Sequence, residues 1–189
     1  YLIAASIPTV LFMGILTAIY TSYIPIFHEL KVKKNYDINR YTNNIINVTA
    51  ILSLFIVIIF YIFQDEIVYL FAAGFEEESF QLTISLSKIS VISLLFMSVV
   101  YVLQGVLQAN YRFYLVAVFM VPVNVIMAGG VVVSYYGKNV HAMAWFIVLA
   151  YALIIPVFII QAHKSGWKYE PIIILKDDFL RKTIIMILP

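Results

Sequence analysis

The 189 residues of this chain are 63% hydrophobic and 12% charged, with a formal net charge of +2 and a mean hydropathy of +0.99. Soluble domains contain about 45–50% apolar and about 25% charged residues, so this composition excludes a soluble globular protein and predicts a membrane protein. The length leaves room for about five or six helices of ~20 residues, that is, an all-α, polytopic transmembrane helix bundle. The chain contains no cysteine, which excludes disulfides and thiolate metal sites.

The first apolar run, residues 1–27, contains no charged side chain and predicts a membrane-spanning helix. Thr17 and Thr21 lie four residues apart and therefore share a helix face, and Ser22 follows them directly. Two interpretations of these hydroxyls stay open. They either bond back to their own helix and pack against a neighbour, or they form the wall of an aqueous substrate pathway.

Residues 28–44 are polar and basic and are predicted to lie outside the membrane, before a second span at 45–63. A short apolar segment then ends at Gly74, which suits a helix C-terminus at the interface. Three glutamates, 76–78, precede the third span at 82–107. We interpret them as carboxylates favoured at a helix N-terminus, and not as a metal site, because consecutive helix positions point in different directions.

The third span carries Lys88 near its start, where the amine can extend to the interface or contact substrate. A short polar turn at 108–113 leads into the fourth span, 114–136. Arg112 in this turn either faces anionic lipid headgroups or contacts an anionic substrate. We also take Asn124, within the fourth span, as a substrate-pathway candidate.

The fifth span is predicted at 142–161, and a polar, basic segment follows at 162–182. Asp177 or Asp178 is expected to cap a helix whose apolar side carries Phe179, Leu180, Ile184 and Ile185. This helix would begin a sixth span, of which residues 183–189 are present. We therefore expect one transmembrane bundle, 1–189, that is incomplete at both ends.

The basic residues predict the orientation. Of the twelve Lys and Arg residues, ten lie in segments 28–44, 108–113 and 162–182, whereas Lys138 and Lys88 lie toward the opposite side. Cytoplasmic loops carry the excess of basic residues, so these three segments are predicted to be cytoplasmic. No group of residues indicates an enzyme, a cofactor site or a metal site, because the three histidines lie at different span ends without carboxylates at ligand spacing.

Several short motifs occur in order along the chain: Ile24-Pro25-Ile26-Phe27, Tyr41-Thr42-Asn43-Asn44, Ala73-Gly74-Phe75, Lys88-Ile89, Gly105 to Phe113, Ala144-Trp145, Lys164-Ser165-Gly166 and Leu188-Pro189. Together they resemble the MurJ-type lipid II flippase family, within the multidrug/oligosaccharidyl-lipid/polysaccharide exporter superfamily. On this resemblance the chain is most of the N-terminal lobe of a two-lobed, 14-helix fold. The family often has an arginine pair after the motif matched by Ile7-Pro8-Thr9, and this chain does not.

The resemblance implies a transporter that flips a lipid-linked diphosphate oligosaccharide, expected to be lipid II, across the bacterial cytoplasmic membrane by alternating access for peptidoglycan synthesis. The implied partners are the lipid bilayer, that substrate and the remaining lobe of the same protein, with no nucleic acid and no cofactor. Two alternatives stay open: another exporter of the same superfamily, or a membrane scaffold that transports nothing. A cation exporter would be expected to carry acidic residues inside its spans, and the predicted spans contain none.

Overall fold

The computed structural model describes residues 2–32 and 37–187, and this part of the chain contains eight helices and no strand. In chain order these are α1 (Leu2–Val32), α2 (Ile38–Ile62), α3 (Gln64–Ala72), α4 (Glu77–Val91), α5 (Ser93–Ala109), α6 (Phe113–Gly137), α7 (His141–Lys164) and α8 (Asp178–Ile187). The prediction of an all-helical bundle is confirmed. Lys33, Lys34 and the last two residues of the predicted sixth span lie outside the described residues.

Four helical stretches among the described residues are long and apolar enough to cross a membrane: α2, α4 together with α5, α6 and α7. The fifth long helix, α1, has 31 residues, about 46 Å at 1.5 Å per residue. The protein is therefore a multi-pass membrane protein. The exact ends of each span stay a prediction, since the helices continue beyond them: α1 includes residues 28–32, and α2 already begins at Ile38.

The bundle is built around α5, which packs against α1, α2 and α7, whereas α6 packs mainly against α7. Two glycines allow close helix approach, as small residues commonly do in membrane bundles. A Cβ on Gly105 would lie 3.0 Å from the Tyr23 ring, and one on Gly130 of α6 would lie 2.5 Å from the Cβ of Phe146 on α7. The Gly130 contact therefore sets the distance between α6 and α7.

The short helices follow the local sequence signals. Gly74, with φ of +107°, follows the end of α3, and Glu77 and Glu78 occupy the first turn of α4, where their charge is favourable. Asp177 caps α8, since its Oδ1 accepts hydrogen bonds from the amides of Phe179 at 2.8 Å and Leu180 at 3.1 Å.

The predicted apolar side of α8 is only partly packed against the bundle. Leu180 is buried, but Ile184 and Ile185 are 47% and 60% exposed. The buried position in that turn belongs to Thr183, whose hydroxyl lies 2.9 Å from the Tyr41 hydroxyl of α2. The helix is rotated so that this polar pair, and not the two isoleucines, faces the bundle.

Candidate functional site

The exposed face of α1 carries small and polar residues. Thr17 and Thr21 are both exposed on this face, whereas Ser22 is buried at 5% exposure and faces the core. The hydroxyls donate to carbonyls of their own helix: Thr17 to Gly14 at 3.1 Å, Thr21 to Thr17 at 2.9 Å and Ser22 to Ala18 at 2.7 Å. Each of these hydroxyls is thus bonded to the backbone of its own helix.

The outer face of α2 is different. Its exposed residues are large and apolar: Ile51, Leu52, Leu54, Phe55 and Ile58. Such a surface suits lipid chains. Among the side chains of α1 that the structure describes, by contrast, the exposed ones between Ser6 and Pro25 are Ser6, Val10, Gly14, Thr17, Thr21 and Pro25. This difference in chemistry separates a face suited to hydrocarbon from a face suited to polar contacts.

Three tyrosines extend the polar character of α1 across the bundle. The Gln108 side chain of α5 hydrogen-bonds Tyr20, which is next to Thr21 on α1. Tyr101 of α5 lies near Tyr20, and Tyr151 of α7 lies near Tyr101. All three rings are partly buried. Phenol and amide groups at this depth are hydrogen-bonding groups that a purely lipid-facing surface would not need.

Lys88 lies in the last turn of α4, close to the junction with α5. It precedes Ala109 by 21 residues, which places it about 31 Å away along the helices, a full hydrocarbon thickness from the turn at Arg112. The helix is interrupted at Ile92, whose amide bonds the Ile89 carbonyl at 3.2 Å. The Lys88 carbonyl accepts from the Tyr61 hydroxyl at 2.8 Å. This position beside an aromatic residue at a helix end is typical of an interfacial lysine.

Arg112 connects two helix ends. Its Nη2 donates to the carbonyl of Lys164, the last residue of α7, at 3.3 Å. A cation is favourable there because the C-terminal carbonyls of a helix carry partial negative charge. The turn itself closes α5: the Tyr111 amide bonds the Gln108 carbonyl and the Arg112 amide bonds that of Leu107, both at 2.9 Å. This is a Schellman motif, with Tyr111 in the left-handed position at φ of 59°.

The same motif closes α7. The Gly166 amide bonds the His163 carbonyl at 2.9 Å, the Trp167 amide bonds that of Ala162 at 3.1 Å, and Gly166 has φ of +95°. Asn124, the remaining candidate, is exposed on α6, and no hydrogen bond to its amide is present in the described part of the chain. The six candidates thus do not form one site. Thr17 and Thr21 share a face, while Ser22, Lys88, Arg112 and Asn124 are separate from it.

A cluster of asparagines on α2 was not predicted from the sequence. We term it the asparagine clamp, and it consists of Asn39, Asn43, Asn44 and Asn47. These side chains bind the irregular segment 167–174, termed the strap. Asn43 donates to the Lys168 carbonyl at 2.8 Å and accepts from the Trp167 indole at 3.0 Å. Asn39 accepts from the Lys168 amide at 3.3 Å. The first half of the strap is thereby fixed to α2.

The second half of the strap is also hydrogen-bonded to α2. Asn44 donates to the Ile174 carbonyl at 2.9 Å and accepts from the Ile174 amide at 2.8 Å. Asn47 donates to the Ile172 carbonyl at 2.8 Å and accepts from the Tyr169 hydroxyl at 3.1 Å. Asn43 and Asn44 are fully buried at 0% exposure, so these bonds satisfy strap backbone groups that no sheet or helix would otherwise pair. The signal available in the sequence was the spacing of three asparagines four residues apart.

Comparison with known proteins identifies the fold. The family model for the lipid II flippase MurJ matches residues 1–189. A solved structure of the lipid II flippase MurJ in its inward closed conformation superimposes with a TM-score of 0.77 at 21% sequence identity, covering 98% of this chain and 40% of the other. The chain therefore spans less than half the length of that protein. No curated protein matches the chain in sequence.

Proposed function

The chain belongs to the lipid II flippase MurJ family, and from this premise we propose that it is part of a transporter that flips a lipid-linked oligosaccharide, lipid II, across the cytoplasmic membrane. The transport proceeds by alternating access, in which two lobes rock about a solvated cavity at the centre of the membrane. The described helices form most of one lobe, and the other lobe belongs to the same protein. The protein acts as a transporter and not as an enzyme, and it uses no nucleic acid partner.

The exposed polar face of α1 is the observation that carries this proposal beyond family membership. Among the described side chains of α1, Ser6, Gly14, Thr17 and Thr21 are exposed together with Val10 and Pro25, whereas the exposed side chains in the middle of α2 are large and apolar. Oxygen acceptors suit the hydroxyl and amide donors of a glycan–peptide headgroup. This face forms part of the cavity wall past which the headgroup moves while the lipid tail stays in the bilayer.

The remaining candidates have supporting roles in this proposal. Lys88, in the last turn of α4, extends its amine toward the outer membrane interface, and Arg112 lies at the cytoplasmic end, where its guanidinium binds the C-terminus of α7. Asn124 offers an amide on α6. In this proposal segments 28–44, 108–113 and 162–182 lie in the cytoplasm of a bacterium, and the glutamates at the start of α4 lie outside.

Complementation tests the function. In a bacterial strain depleted of its own lipid II flippase, the full-length gene is expected to restore growth and to abolish intracellular accumulation of the lipid-linked precursor. A variant with Thr17→Val and Thr21→Val keeps the shape of both side chains but removes both hydroxyls, and it should transport more slowly at equal membrane abundance. Normal precursor export in a null strain without any second flippase would contradict the proposal.

A further inference from the structure

The strap is attached to α2 at both of its ends. Lys168 at the first end is bound by Asn39 and Asn43, and Ile174 at the second end is bound by Asn44 through both its amide and its carbonyl. The paired bonds between Asn44 and Ile174 use one donor and one acceptor on each side, as neighbouring strands do in a sheet. Asn43 and Asn44 are fully buried, so water can reach their bonds only from the side of the partly exposed strap.

The attachment continues into α8, the helix that follows the strap. Leu180 is buried at 4% exposure, the Thr183 hydroxyl lies 2.9 Å from that of Tyr41, and Lys182 forms an ion pair with Glu29 of α1. Thus α8 is bound to α1 by charge and to α2 by a buried hydroxyl pair. No glycine interrupts residues 167–187, so the chain offers no residue specialised for a flexible joint there.

We propose that the strap and α8 move with α1 and α2 as one rigid unit, so that the two lobes change their relative orientation beyond Ile187 and not in the connection at 167–177. This inference rests on the proposed alternating-access transport. Asn43, Asn44 and Asn47 are then positioning residues, which fix the direction in which α8 leaves this lobe without contacting the substrate. A connection between lobes that looks like a loop in the sequence is, in this proposal, part of the lobe.

A covalent lock between α2 and the strap tests the proposal. The side chains of Asn47 and Tyr169 meet at 3.1 Å, and the chain contains no cysteine of its own. The full-length protein with Asn47→Cys and Tyr169→Cys is reconstituted into liposomes and treated with a short bifunctional thiol reagent. We expect the cross-linked protein to move a fluorescent lipid II analogue at a rate within twofold of the untreated double variant. A loss of tenfold or more on cross-linking, absent from either treated single variant, would overturn the proposal.

Hydrogen exchange tests the attachment without any transport assay. The Ile174 amide is expected to exchange at least tenfold faster in Asn44→Ala than in the wild type, and to be unchanged in Asn139→Ala, a matched substitution at the α6–α7 turn. Should Asn44→Ala fail to fold, Asn39→Ala is read at the Lys168 amide instead, because Asn39 is only partly buried. If the strap amide exchanges at the same rate in the asparagine variant and in the wild type, the attachment of the strap by the asparagine clamp is refuted. Wild-type protein that moves no lipid II refutes the proposed function, whereas the exchange result stands independently of it.

Discussion

Neighbouring glycines on α6 give a matched test of how closely this helix packs against α7. In Gly130→Ala the new Cβ would lie 2.5 Å from the Cβ of Phe146, an atom that no side-chain rotation can move away. Carbon atoms prefer separations of about 3.5–4.0 Å, so the helices must separate locally by about 1 Å or more. In Gly129→Ala the nearest atom is a Phe146 ring carbon at 3.7 Å, an ordinary contact.

The two substitutions share the gain in helix propensity, about 1 kcal/mol for glycine to alanine in a helix interior, so this contribution cancels between them. What remains is the overpacking cost, about 1–3 kcal/mol. We expect Gly130→Ala to have a free energy of unfolding lower than that of Gly129→Ala by this amount, measured by SDS titration in mixed micelles. Equal stability of the two variants would refute the close α6–α7 contact.

Three further predictions concern the turn, the orientation and the face of α1. Tyr111→Gly is expected to raise the free energy of unfolding by up to about 1 kcal/mol, because glycine adopts the left-handed conformation without steric cost; a lower thermal midpoint would contradict this. Cysteine at Thr21 should react with a water-soluble maleimide at least tenfold faster than cysteine at the lipid-facing Phe55, and equal rates would remove Thr21 from the cavity wall. In intact cells, cysteine at Glu77 should react with an impermeant reagent while cysteine at Lys176 should not, and the reverse pattern would invert the orientation.

The helices could be predicted because their signals are local. Long apolar runs predict the long helices because burial in lipid requires them. A glycine marks the end of α3 and an acidic residue marks the start of α8, because each residue caps the helix next to it. The capping role of Asp177 is confirmed at 2.8 Å and 3.1 Å. The side of α8 that faces the bundle could not be predicted, because it depends on Tyr41, which lies 142 residues earlier and pairs its hydroxyl with that of Thr183.

The asparagine clamp could not be predicted for a related reason. The strap has no periodic pattern, and its binding partners on α2 are separated from it by more than 120 residues. Three of the four asparagines lie in the polar segment before the predicted span, where contact with water is an obvious alternative, and Asn47 lies just inside that span. Only the three-dimensional structure shows that Asn43 and Asn44 are buried against backbone groups.

The bond from Arg112 to the carbonyl of Lys164 has a mechanical consequence. Residues 112 and 164 bracket the α6–α7 hairpin, whose other end is closed by the short turn before His141. The two helices of the hairpin are thereby connected at both of their ends. Arg112 therefore links the start of α6 to the end of α7, in addition to the turn at the other end of the hairpin. Without this hydrogen bond, the chain connection between α6 and α7 would remain only at the turn before His141.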